Sequence, residues 1–131
     1  MSSAKTLRPR VGVGALSSPL EVGANRAPEA SAELAAGLEA RGCEVVNLGS
    51  IGSAEAAVAA GRLAAESHLD AVALAGASWF EDYLVLDFLE ECAVPLLLRP
   101  LPGMETGALC GTQQLTAYLR QMDVPFASVF G

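Results

Sequence analysis

Histidine, lysine and aromatic side chains are all scarce in this 131-residue chain, which has one histidine, one tryptophan and three cysteines. So few soft ligands exclude a zinc ribbon or finger. Lysine and arginine together number 8 against 15 acidic residues, a net charge of −7. That balance excludes a general nucleic-acid binder or an anionic-lipid binder, both of which need basic patches. Apolar runs are only strand-sized, such as Val94 to Leu98, so a membrane span of about 20 residues is not expected. An odd number of cysteines without a leader-like segment fits a reducing cytoplasm.

What is present is an apolar majority, 52% of residues, with 18% charged. Disorder needs the reverse composition. At this length a single domain buries roughly two-thirds of its unfolded surface, enough to fold without a metal or disulfide staple. Residues 1–9 are polar and basic and read as a flexible amino-terminal segment before a single domain over 10–131.

Along that domain two patterns alternate. Val11–Leu16, Glu44–Leu48, Asp70–Gly76, Val94–Leu98 and Phe126–Phe130 read as buried strands. Between them lie four helices. The first runs from Arg26 to Arg41, with Pro28 in its first turn, an Ala30/Leu34/Leu38 face and Gly42 at its end. The second is capped by Ser53 and runs to His68. Tyr83 to Cys92 buries Leu84, Val85, Phe88, Leu89 and Cys92. A fourth carries Leu115, Tyr118, Leu119 and Met122 as its apolar stripe. Strict alternation of strand and helix implies a three-layer αβα domain around a parallel sheet. For five strands the order 2-1-3-4-5, the flavodoxin-like arrangement, is expected, with the loops after strands one, three and four meeting at the carboxyl edge. A fifth helix is missing after the last strand. Either the fold is a variant with a bare edge or the chain is cut from a longer protein, and the second is preferred.

Several chemistries of this fold class lack their residues. Gly12-x-Gly14-x-x-Ser17 has no third glycine, lies within a strand and is followed by Pro19, so it does not build a pyrophosphate site. A phospho-acceptor domain needs acids where Ser17-Ser18 and Ala77-Ser78 stand. Ser17-Ser18-Pro19-Leu20 is too short and apolar to hold a flavin phosphate, and the first loop has no histidine for a cobalamin. His68 falls at a helix end, where a cation suits the dipole, and reads as a surface residue. Cys43 and Cys92 read as core residues. Cys110, early in the fourth helix, could be an activated thiol, but it lacks a nearby histidine base, and packing is the preferred reading.

Two segments remain. Trp79-Phe80-Glu81-Asp82-Tyr83 places three rings and two acids directly after strand three, a position that favours a sugar or protein platform over a structural staple. Pro102 to Gln114 holds Gly107 and Gly111 on one helical face, each costing roughly 1 kcal/mol against alanine, so a ligand or a neighbouring backbone comes close there. Glu105 and Thr106 could cap that helix and face the crevice. Gln113 and Gln114 are neutral hydrogen-bonders suited to hydroxyls.

Pro19-x-x-x-Gly23-x-x-Arg26-Ala27-Pro28-Glu29, Trp79-Phe80-Glu81-Asp82, Leu101-Pro102-Gly103-Met104-Glu105-Thr106-Gly107 and Cys110-Gly111-Thr112-Gln113-Gln114 together resemble the amino-terminal domain of L-fucose isomerase-like proteins, which group with the L-fucose and L-arabinose isomerases. The resemblance runs from about Arg10 to Gly131. It implies a longer, oligomeric aldose–ketose isomerase. Its divalent metal, usually Mn2+, is bound in middle and carboxyl-terminal domains that this sequence does not contain. It further implies that this domain caps the active site of an adjacent subunit. The substrate-contacting positions would be Trp79, the loop from Ser17 to Glu21, and Glu105 with Thr106. No catalytic or metal-ligating residue is implied in this chain. The different class of reading is a standalone interaction module assembling through Trp79, Phe80 and Tyr83.

Overall fold

The computed structural model describes residues 8–101 and 107–128. Its five strands are β1 (Arg10–Leu16), β2 (Glu44–Ile51), β3 (Ala71–Gly76), β4 (Leu96–Pro100) and β5 (Phe126–Ser128). All pair in parallel, in the order β2-β1-β3-β4-β5. The helices are α1 (Ala27–Ala40), α2 (Ala54–Glu66), α3 (Tyr83–Glu91) and α4 (Ala108–Gln121), with a 3-10 turn, Ala24–Arg26, before α1. The flavodoxin-like order expected from the alternation is thus the one observed.

Local chemistry sets the boundaries. Pro28 stands at the start of α1, where its missing N–H is harmless. Gly42, at φ 93°, ends α1. Its N–H donates to the Glu39 carbonyl while that of Cys43 reaches Leu38, the paired bonds of a Schellman cap. Asp123, at φ 56°, closes α4 by the same geometry through Arg120 and Leu119. Ser53 Oγ accepts from the Ala56 N–H and caps α2.

Strand β2 is longer than its pattern predicts. The pattern ends the strand at Leu48, but Asn47 Oδ1 accepts from the Gly49 N–H, and Gly49 at φ 81° makes a bulge there. The register slips by one residue between Val13 and Gly14, and the strand continues to a fully buried Ile51. Strand β4 starts two residues later than predicted, since Val94 and Pro95 precede the first paired residue. Residues 129 and 130 of the predicted fifth strand lie outside the described residues.

The core has two halves. On one face, α2, α3 and α4 cover Leu16, Ile51, Val72, Leu74, Leu96 and Leu98. On the other, α1 packs over Val11, Val13, Ala15, Ala73 and Ala75. α4 buries Ala108, Gly111, Thr112, Leu115, Thr116 and Leu119. The predicted stripe is therefore corrected: Tyr118 and Met122 are 44% and 53% exposed. Small residues bring α4 close to the sheet and turn its buried face away from those two side chains. Cys110 is exposed for the same reason, which overturns its reading as a packed residue, while Cys92 is buried and Cys43 partly so.

Candidate functional site at the carboxyl edge

The loops after β1, β3 and β4 meet at the carboxyl edge of the sheet. The Ala77 N–H donates to the Leu16 carbonyl at 2.9 Å, and the Leu101 N–H to that of Gly76 at 2.8 Å. Ser78, fully buried, fixes the first two loops to each other. Its Oγ accepts from the Ser18 N–H at 3.0 Å and donates to the Trp79 carbonyl at 2.7 Å.

Trp79 and Phe80 follow at once and part company. Phe80 is 1% exposed and belongs to the main core beneath α4, so it cannot serve as a platform. Trp79 is half-buried at the rim. The two glycines on α4 explain how both fit. A methyl group on Gly107 would come within 2.6 Å of Trp79 Cβ, and one on Gly111 within 3.2 Å of the Phe80 backbone nitrogen. The close neighbour foreseen for this glycine face is therefore the Trp79–Phe80 segment itself.

The other predicted site residues divide. Ser17 is buried and its N–H is bound to the Ile51 carbonyl, so it holds the end of β2 rather than facing outward. Glu21 is exposed on a turn in which its N–H donates to the Ser18 carbonyl. Beside it, Leu20 and Val22 are 97% and 67% exposed. Glu105 and Thr106 lie outside the described residues. His68 is exposed, as read, though it stands past the end of α2 at φ 53°.

A feature not read from the sequence links α3 to α4. Asp82 precedes α3, and Gln114 hydrogen-bonds its side chain from α4. Burial and then the neighbouring Glu81 carboxylate raise the Asp82 pKa above the usual carboxylate value, and the Gln114 bond only partly offsets them. Asp82 Oδ1 is buried without a hydrogen-bond partner. Ser78 was also missed as a structural tie; the only available signal was a small polar residue ending an apolar strand.

Among the described residues no three His, Cys, Asp or Glu side chains gather closely enough to hold a metal ion, so no step is routed through one. Nor is any helix long and apolar enough to cross a membrane among them. An apolar groove of about 550 Å³ lies far from this edge, where α3 and α4 end, lined by Leu86, Leu89, Val94, Met122, Val124 and Pro125 among others. Two acidic residues, Glu90 and Asp123, also line it. No family model matches the chain, and no curated protein matches it.

Proposed function

We propose that this chain is the amino-terminal domain of a sugar (aldose–ketose) isomerase-like protein. In that role it contributes to substrate binding and oligomer contacts and supplies none of the metal-binding catalytic residues. The observation that carries the reading is the placing of Trp79. A single half-exposed indole stands at the ligand-binding edge of a parallel sheet, tied by Ser78 to the loop of Ser18 and backed by Gly107. On the adjoining helix the exposed Gln114 amide reaches Asp82, while Gln113 lies toward β5. An apolar ring at this edge suits the C–H face of a sugar. The metal and the proton-transfer groups would come from middle and carboxyl-terminal domains, with a homo-oligomer bringing this edge to a neighbouring active site.

Trp79 is the sole tryptophan, so its emission reads the site directly. Titration with L-fucose, L-arabinose and other aldoses should protect Trp79 from iodide quenching, while the isolated chain with Mn2+ turns over none of them. Turnover by this chain alone, or quenching indifferent to every aldose, overturns the proposal.

The exposed Leu20, Val22 and Tyr83 support a second reading, an interaction module without a sugar ligand. It requires sugar-independent dimers in sedimentation and their loss on Leu20→Ser with Val22→Ser.

A further inference from the structure

At the amino edge of the sheet, across the molecule from Trp79, α3 and α4 both end and the segments leading into β4 and β5 begin. Leu86, Leu89, Val94, Met122 and Val124 wall the apolar groove of about 550 Å³ that lies there. That volume is within the range of small-molecule sites. Glu90 and Asp123 are the only charged side chains among its described lining residues, and none is basic. Both carboxylates are exposed, and neither forms an ion pair with a described residue.

The helix ends sharpen this imbalance. The carboxyl end of a helix carries a partial negative charge, which a lysine or arginine in the last turn commonly answers. α3 has no basic residue in its last turn. α4 has Arg120, but its guanidinium sits 5.5 Å over the Phe126 ring and lines a different hollow with Gln113 and Ser128. Two carboxylates therefore stand beside two unanswered helix ends, all around an apolar space. A neutral or anionic ligand would leave that field without a partner, whereas a cation on an apolar body complements both parts of the groove. β5 runs parallel to β4 and away from the groove, so the chain leaves it toward the opposite edge of the sheet. A second copy set here about a two-fold axis would place acid against acid.

We propose that this groove binds a small organic ammonium compound, with its apolar body between Leu86 and Met122 and its charge beside Glu90 and Asp123. The test titrates the isotopically labelled full chain with phenethylammonium, phenethyl alcohol and hydrocinnamate and follows amide shifts. The ammonium compound should shift Leu86, Glu90, Val94, Met122 and Val124. The alcohol should bind about fivefold more weakly, and hydrocinnamate more weakly still. Glu90→Gln and Asp123→Asn should each lower ammonium affinity about twofold to threefold and leave alcohol binding unchanged. Asparagine tolerates the φ of 56° at Asp123, so α4 keeps its end in that variant. Equal binding of the three compounds, an ammonium preference that survives both substitutions together, or shifts confined to Trp79 and its loop overturns the proposal. So does ligand-free broadening that grows with concentration, which would identify a second copy as the occupant. Groove shifts caused by Lys5→Gln alone would identify the chain's own amino-terminal segment, and tighter binding of an acetylated Leu-Lys-Leu peptide would identify a protein partner; either result also overturns it.

Discussion

Gly37 and Gly61 both sit inside helices, yet a methyl group added to each meets a different fate. Around Gly37 on α1 there is open space. Gly37→Ala should therefore raise unfolding free energy by about 0.5–1 kcal/mol, through the entropy that alanine does not lose. At Gly61 on α2 the new atom would lie 2.8 Å from the Phe88 carbonyl oxygen and 2.7 Å from Glu91 Cβ. Gly61→Ala should cost roughly 1–2 kcal/mol, because overpacking between α2 and α3 exceeds the gain in propensity. Urea denaturation of both variants measures the contrast, and equal effects would mean that α2 and α3 are not in close contact. Asp82 gives a pH-dependent prediction. Its carboxyl pKa is raised in the folded state, so folding favours the protonated form. The stabilisation belonging to that proton is complete at low pH and is lost as pH rises through the raised value. Asp82→Asn keeps an acceptor for Gln114 and carries no charge. It should raise the melting temperature at neutral pH, with the gain fading toward about pH 3. A gain of the same size at both pH values would mean that the carboxylate is not under strain from burial.

At the scale of elements, end chemistry decides where each helix stops. α2 is rich in alanine and packs through small faces at Ala57, Ala60 and Ala64. Ser53 satisfies one of its first free N–H groups, so Ser53→Ala should cost about 1 kcal/mol, whereas Ser53→Asp should cost almost nothing. A lowered urea midpoint with unchanged slope is the signature. These features were legible in the sequence because caps act over a few residues: Ser53, Pro28 and Gly42 each do what their residue type dictates. The bulge at Gly49 was not legible, since Asn-Leu-Gly-Ser carries the same local signal whether it ends a strand or kinks one. The orientation of α4 was hidden for a related reason. Its buried face includes Gly111, Thr112 and Thr116, which a hydrophobic pattern passes over in favour of Tyr118 and Met122.

For the molecule as a whole, strict alternation of strand and helix left few topologies open, and the observed sheet order is the one it points to. The candidate site was legible in part. Topology alone places Trp79 at the carboxyl edge, and glycine spacing announced a close approach on α4. That Phe80 turns into the core, and that Ser17 faces β2, depend on contacts between segments distant in sequence, which no local pattern encodes. The strand order also bears on how the protein is made. β1, the first strand in the chain, is one of the sheet's three inner strands: Arg10 pairs with Glu44, and Val11 with Ala71. A growing chain therefore cannot satisfy its first strand until two crossovers have left the ribosome, and β1 must wait with both edges open. Even after Ile51 emerges, the face holding Leu16 and Ile51 stays bare until α2, α3 and α4 follow. Synthesis is the period in which this molecule most needs protection from other nascent chains.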